Sequence, residues 1–459
     1  MFIQQIYTKC LAQASYYIES EGMAAIVDPI RDIDSYLQIA QERKAKIKYV
    51  FVTHFHADFV SGHLELANKT RAIIVYGPRS KPHYPALVAE DEEYLHLGKC
   101  KVEILHTPGH TIESSCFLLY NESEKPYALF TGDSLFVGDV GRPDLLSGNL
   151  DASELASMLY NSIQTKIKLL PDDVIVYPGH GAGSACGKNL GTETWSTIGE
   201  QKKTNYAFNL SKTEFISAIT KGQPTVPAYF FKDARINING YESLDKVLKH
   251  NLNPLSAEKF KEEMDADAIV LDSRTALEFG KKFISSSINI GFDGQYAIWA
   301  GTLIDFNHPL LLVTDSGEER NAVIRLARIG YENIKGYLKT DISDFENHYP
   351  DLIDSIETIS IDELNLINLN QQYILLDVRK QSEFESERLP HSIHIPLDEL
   401  IPGIKELDKN KVYAVYCAGG YRSMIAASIL KKNGFENILN IKGGINQIKN
   451  NFPELIETN

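Results

Sequence analysis

Cysteine is scarce and scattered in this chain. The five residues Cys10, Cys100, Cys116, Cys186 and Cys417 are an odd number with no regular spacing in 459 positions. That excludes a disulfide-stapled scaffold and fits a reducing compartment. Long apolar runs are lacking too, since none approaches the roughly 20 residues needed to cross a bilayer. The opening Met1-Phe2-Ile3-Gln4-Gln5 does not have the charged-then-apolar layout of a secretory leader. The expected location is therefore cytoplasmic, with no membrane partner. Basic excess is also absent: 46 Lys and Arg stand against 61 Asp and Glu, a net charge of −15. A nucleic-acid partner needs a basic footprint, so that class is excluded and the acidity is read as solubility. What is present is an ordinary globular composition, 43% hydrophobic, in a chain long enough for about three domains.

A repeat organises the second half. Ala268–Arg274 (AIVLDSR) matches Tyr373–Arg379 (YILLDVR), and Gly330–Ile334 (GYENI) matches Gly434–Ile438 (GFENI), at offsets of 105 and 104 residues. Two copies of one domain follow. Each alternates short apolar runs with helical stretches, as in Pro309–Val313 before residues 319–329 and Val412–Tyr416 before residues 421–433. That order predicts small α/β domains with largely parallel sheets. The first 240 or so residues instead carry successive β-branched runs at Ala24–Val27, Lys48–Val52, Ala72–Val75, Val102–Leu105, Phe117–Leu119, Ala128–Phe130 and Val174–Val176. Linkers are expected near residues 245–262 and 345–360, where Asn, Pro, Ser and acidic residues interrupt the pattern.

The apolar runs of the first part are followed by metal-ligand residue types. They are His54, His56 and Asp58 in Thr53–Phe59 (THFHADF), His110 after Thr107-Pro108-Gly109, Asp133 after Thr131-Gly132, and His180 after Tyr177-Pro178-Gly179. Imidazole and carboxylate suit Zn or Fe(II), and no cysteine stands in these turns to demand a thiolate site. In order and spacing the segment resembles the metallo-β-lactamase superfamily across residues 1–240, which implies an αββα sandwich. The usual superfamily loop ends in Asp-His and builds two metal positions; here Phe59 stands in place of that histidine and cannot coordinate. Two histidines and one carboxylate with open positions then suit a non-haem Fe(II) ion.

Resemblance to the persulfide dioxygenases of that superfamily implies His54, His110 and Asp133 as the iron ligands, with His56, Asp58 and His180 orienting ligands or water. Arg142, in Gly141-Arg142-Pro143-Asp144, either pairs with an anionic substrate or braces Asp144. Cys186, in the Gly-rich stretch after His180, resembles the cysteine-bearing loop of bacterial persulfide dioxygenase–rhodanese fusions. It either faces the pocket near substrate or packs as a small apolar residue. Lys188 would lower its pKa if the side chains met.

Cys417 follows a strand and opens Cys417-Ala418-Gly419-Gly420-Tyr421-Arg422, which leads into a helix. Inward backbone N–H groups, a helix N-terminus and Arg422 favour a thiolate and can hold a persulfide anion. With Leu376–Arg379, Glu383-Phe384, Ile395–Leu397 and Ile441–Gly444, the pattern resembles a rhodanese sulfurtransferase across residues 355–455. In the middle copy Asp315 occupies the place of the nucleophile, with Glu318 and Glu319 beside it, so that copy is expected to be inactive.

The expectation is an N-terminal metallo-β-lactamase αββα sandwich at residues 1–245, an inactive rhodanese-like α/β domain at 246–352 and a catalytic rhodanese domain at 353–459. Its expected activity is that of a non-haem Fe(II) persulfide dioxygenase and thiosulfate sulfurtransferase serving sulfide detoxification, with one iron per chain. A thiol persulfide and O2 would give sulfite and thiol, and Cys417 would make or use thiosulfate. A homo-oligomer is expected. The alternative is a zinc-dependent thioester or lactone hydrolase of the glyoxalase II type fused to a sulfur carrier.

Overall fold

The computed structural model describes residues 1–145, 150–188, 190–223, 225–360 and 373–458. Residues 361–372, within the expected last domain, lie outside the described residues. The chain divides into two compact units, residues 1–246 with 327–330, and residues 247–326 with 331–459.

The first unit is an αββα sandwich. One six-stranded sheet runs in the order Phe2–Thr8, Gln13–Ser20, Met23–Val27, Lys46–Phe51, Ile73–Tyr76, Leu87–Val88. The other runs Ser196–Thr197, Ile175–Pro178, Pro126–Gly132, Ser115–Tyr120, Cys100–His106, Tyr94–Leu97. Central strands read as nearly unbroken apolar runs because both of their faces are covered. Tyr16 and Phe51 of the first sheet meet Phe130 and Phe117 of the second, with ring centroids 5.0 and 4.9 Å apart. The outer face of the second sheet packs Leu118, Leu129 and Val176 against Ala156 and Leu159 of the helix Ala152–Ser162.

Two strand pairs matter for the site because they are parallel: Met23–Val27 with Lys46–Phe51, and Pro126–Gly132 with Ile175–Pro178. Parallel neighbours deliver their carboxyl ends to one edge, where the loops bearing His54, Asp133 and His180 start. That edge is tied across the sheets by the Ser115 N–H donating to the Thr53 carbonyl at 2.9 Å and the Ala14 N–H to the Gly179 carbonyl at 2.8 Å.

The second unit holds two five-stranded parallel sheets. The first runs in the order Pro254–Leu255, Ile334–Leu338, Leu310–Val313, Ile269–Asp272, Ile288–Asn289. The second runs Glu357–Ile359, Ile438–Ile441, Tyr413–Tyr416, Ile374–Asp377, Ile393–His394. The repeat in the sequence is thus a repeat in topology, down to a side-chain pair. Arg274 is clamped on Asp272 (Nη2 to Oδ2, 2.5 Å) and Arg379 on Asp377 (2.6 Å). The expected linkers are different. Within residues 245–262 the chain forms the helices Leu244–Asn251 and Ala257–Asp265, and the Ser256 side chain caps the latter. Ile342–His348 is helical as well, capped by Asp341. Their Ser, Asp and Asn residues are helix caps and turns, which share the composition of a linker.

Candidate functional site

The loop Thr53–Phe59 follows the strand Lys46–Phe51 and is pinned from below. Asp28, at φ +48°, accepts from the Thr53 N–H and from Thr53 Oγ1, each at 2.8 Å. Gly132 also lies at a positive φ, and a Cβ there would stand 2.5 Å from Thr53 Oγ1, so only glycine lets the Asp133 turn approach this loop. Two side chains absent from the sequence reading complete the support. The Asn237 amide donates to the carbonyls of His56 (2.8 Å) and Phe59 (2.7 Å) while accepting from the Ser61 N–H (2.9 Å). Glu113 accepts from the Phe55 N–H at 3.1 Å. Asn237 lies 178 residues from Phe59, and no local signal marks it.

The structure brings together every expected ligand type. One ligand atom each from His54, His110 and Asp133 lies within 4.8 Å of the others, and the same holds for Asp58, His180 and Cys186; all six residues are buried. His110 Nδ1 lies 2.8 Å from the Arg142 carbonyl and donates to it, leaving Nε2 3.5 Å from Asp133 Oδ2. His180 Nδ1 donates to the Ala12 carbonyl at 3.2 Å, and its Nε2 lies 3.3 Å from Asp58 Oδ2 and 3.6 Å from Asp133 Oδ1. Both oxygens of Asp133, Asp58 Oδ1 and His180 Nε2 are buried without a hydrogen-bond partner. Buried carboxylates without partners are costly, and a cation is the group that relieves them. The donor set therefore fits a metal ion, and the first unit has the capacity to bind one.

Electrostatics at the site follow from burial and proximity. Burial lowers the pKa of His54, and the neighbouring His56, His110 and His180 lower it further. Burial acts in the same direction on His56, but the Asp28 carboxylate 3.0 Å from its Nε2 outweighs it and raises that pKa. Burial raises the pKa of Asp58 and of the Cys186 thiol, and the nearby Asp133 carboxylate adds to both. Lys188 does not meet Cys186; its Nζ donates to the Lys221 carbonyl at 2.8 Å. Phe59 is fully buried and lies on the His56 ring, centroids 4.3 Å apart. Arg142 is buried and makes a two-pronged pair with Asp144 at 2.7 and 2.8 Å, the geometry of a brace.

In the last lobe Cys417 directly follows the strand Tyr413–Tyr416, and the helix Tyr421–Lys432 begins four residues after it, past Gly420 at φ +104°. The Gly420 N–H donates to Cys417 Sγ at 3.1 Å, the one inward amide the loop shows, and the thiol lies 3.6 Å from Ser423 Oγ. Arg422 is not free to face the sulfur alone, because Glu383 takes its guanidinium in two hydrogen bonds of 2.6 and 2.8 Å. In the middle lobe Asp315 and Ser316 line a small cleft with Arg274, Thr340 and Asp341.

The metallo-β-lactamase superfamily model matches residues 8–180, and the rhodanese-like domain model matches residues 360–451. A metallo-β-lactamase structure from Staphylococcus aureus subsp. aureus COL aligns with a TM-score of 0.66 at 34% identity, covering 74% of this chain and 98% of that one. The chain belongs to the metallo-β-lactamase superfamily and carries a rhodanese-like domain behind the sandwich. Its curated relatives include a hydroxyacylglutathione hydrolase of Dictyostelium discoideum, 30% identical over 246 residues, 52% of this chain and 85% of that protein. Another is a probable hydroxyacylglutathione hydrolase of Schizosaccharomyces pombe, 32% identical over 166 residues, 35% of this chain; the chain spans 60% of that protein's length.

These relatives overturn the expected kinship with persulfide dioxygenase–rhodanese fusions. The Fe(II) dioxygenase activity, its persulfide and O2 chemistry and the role in sulfide detoxification fall with it. The expectation rested on that resemblance and on Phe59 taking one ligand from the second metal position. The geometry supplies the physical reason it misled: Cys186, far along the chain, joins Asp58 and His180, so the missing histidine does not leave that corner without donors. Among the described residues no helix is long and apolar enough to cross a membrane.

Proposed function

We propose that the first unit is a zinc-dependent hydrolase of a thioester or lactone, joined to a rhodanese domain that carries sulfur on Cys417. Its preferred substrate would be a hydroxyacyl thioester of glutathione, the compound named for its curated relatives. The observation that carries the reading is the cluster His54, His110, Asp133 beside Asp58, His180 and Cys186, buried and rich in unpartnered donors. His54, His110 and Asp133 would hold the zinc. A zinc ion so held acidifies water and polarises a carbonyl.

The chain's own residues do the positioning. Arg142 fixes the His110 ring through its carbonyl, and the Arg142 guanidinium is itself locked on Asp144. Ala12 fixes His180 in the same way, so both imidazoles turn Nε2 inward. Asp28 and Asn237 hold the Thr53–Phe59 loop from either side, which keeps His54 and Asp58 from relaxing toward solvent. In hydrolysis, water adds to the acyl carbon, the C–S bond breaks, the thiolate takes a proton, and a carboxylic acid and a thiol leave.

The domain arrangement 1–245, 246–352 and 353–459 remains our reading of the chain, with the middle copy lacking a sulfur nucleophile at Asp315. Full-length protein loaded with zinc should release thiol from a 2-hydroxyacyl glutathione thioester, and His110→Ala at equal protein should not. Equal release by the variant, or no release by zinc-replete wild type from any thioester or lactone, would overturn the reading.

A further inference from the structure

We propose that Glu383 sets the donor preference of Cys417: by neutralising Arg422 it turns the loop against dianionic sulfur donors such as thiosulfate and toward donors whose sulfane sulfur arrives uncharged. The inference rests on the reading of Cys417 as a sulfur carrier and deepens it.

Thiosulfate stays a dianion at neutral pH, so a loop built to take it needs positive charge that no protein carboxylate already holds. Arg422 does not meet that need. Its two terminal nitrogens donate to the Glu383 carboxylate at 2.6 and 2.8 Å, so an incoming anion must break two charge-assisted bonds to reach the guanidinium. The pair is set by the fold. Glu383 lies in the first turn of the helix Gln381–Ser386, where its Oε2 also accepts from the Lys380 N–H at 3.1 Å, and Arg422 lies in the first turn of the helix Tyr421–Lys432. The next arginine is taken in the same way: Arg379 is buried and clamped on buried Asp377, through Nε at 3.0 Å and Nη2 at 2.6 Å. These four groups sum to no net charge. Lys442, which precedes the Gly443 beside Gly420, is exposed, where water and salt screen it.

Burial acts in the same direction. Cys417 is 1% exposed, and among the described residues the Gly420 N–H, at 3.1 Å, is the one backbone amide bonded to its sulfur. A donor must shed water to reach it, and the cost of stripping water from an ion grows with the square of its charge, roughly fourfold from a monoanion to a dianion of like size. A protonated persulfide R–S–SH has no charge to strip. In each case the Cys417 thiolate attacks the sulfane sulfur, the donor's S–S bond breaks and a new S–S bond forms on Cys417. Sulfite leaves from thiosulfate, or a thiolate from R–S–SH, taking the electron pair; no outside oxidant or reductant enters.

The test follows addition of one sulfur to Cys417 in the full-length protein by mass spectrometry, with thiosulfate, methanethiosulfonate and a small alkyl hydropersulfide as donors. Each rate is taken relative to that of a small free thiol. Methanethiosulfonate carries one charge fewer than thiosulfate and releases a sulfinate from the same kind of S–S bond. Wild type should load from it at least about tenfold faster than from thiosulfate, and Glu383→Gln should raise the thiosulfate rate about tenfold while changing the hydropersulfide rate least. Added salt gives a reading on wild type alone, whose loading from thiosulfate should hold steady or rise with ionic strength. The inference is overturned if the ratio of thiosulfate to methanethiosulfonate rates is unmoved in Glu383→Gln, uniform slowing included. It is equally overturned if wild-type loading from thiosulfate falls as salt is added, the mark of an unpaired cation. Loading from every donor without charge preference would defeat this inference alone, whereas no adduct from any donor would defeat the sulfur-carrier reading with it.

Discussion

The Tyr421 hydroxyl, at the start of the helix that follows Cys417, donates to the carbonyl of Gly291 in the middle lobe at 2.9 Å. A Cβ at Gly294 would lie 2.3 Å from the Tyr421 ring, so the turn Gly291–Gly294 is shaped around that side chain. Farther along the same helix, Ser428 Oγ accepts from the Asn289 N–H at 3.0 Å. The middle lobe thus holds the helix that follows Cys417.

Tyr421→Phe removes a single hydrogen bond and should lower the stability of the second unit by about 1 kcal/mol. Gly294→Val places branched atoms inside the ring and should cost more, about 2–3 kcal/mol. Denaturant unfolding of the full chain checks both. If the contact positions the loop, the pH profile for alkylation of Cys417 should also move in Gly294→Val; an unmoved profile would leave the contact with a packing role alone.

Arg422 and Glu383 give a pH-dependent term. Burial pushes the Glu383 pKa up, but the Arg422 guanidinium outweighs it and the folded value is depressed. A depressed carboxylate contributes stability that is whole above its unfolded pKa of about 4.3 and is lost as pH falls through the lower folded value. Glu383 is a third exposed, so solvent screening limits the effect to about 0.5–1 kcal/mol. Glu383→Gln should therefore be less stable than wild type at neutral pH, with the gap narrowing as the pH falls below the unfolded value of about 4.3.

Asn237→Ala removes three hydrogen bonds that hold the Thr53–Phe59 loop without removing any ligand. The buried carbonyls of His56 and Phe59 would lose this donor, a cost of about 3 kcal/mol in stability. Zinc affinity should fall about 10- to 100-fold, as it does when support behind a ligand is lost. Competition with a chromophoric chelator measures it, and unchanged affinity would show that the loop holds its shape without Asn237.

Much of this was legible in the sequence because local rules carried it. The repeated LD-x-R segments fixed two parallel sheets of like order, since the apolar run, the Asp and the Arg pair within two residues of each other. His54, His110 and Asp133 stand out because each follows an apolar strand-like run, the last two through a Gly-bearing turn. Asn237 and Asp28 were missed, since their contacts are made across the fold and neither carries a motif. The strands Phe2–Thr8 and Gln13–Ser20 do not stand out because Gln, Ala, Ser and Glu dilute the β-branched signal. Cys186 was seen, but its neighbours could not be: the carboxylate it meets is 128 residues away in sequence, at Asp58.

Cys417→Ser keeps the loop but removes the sulfur nucleophile, because a serine hydroxyl is essentially un-ionised near neutral pH. Wild type exposed briefly to a sulfane-sulfur donor should gain about 32 Da at Cys417, the mass of one sulfur in a persulfide. Cys417→Ser should gain nothing at that peptide. Asp315→Ala should retain the adduct, since the middle loop carries no sulfur chemistry.

The most direct test of the hydrolase is the origin of the oxygen atom. Zinc-loaded full-length protein is incubated with a 2-hydroxyacyl glutathione thioester in 18O-water without dioxygen, and the products are weighed by mass spectrometry. The account predicts free glutathione together with a carboxylic acid that carries a single 18O from water, at a rate unchanged when air is admitted. Intact thioester after prolonged incubation with metal-replete protein, or acid formed only with dioxygen present, would contradict it.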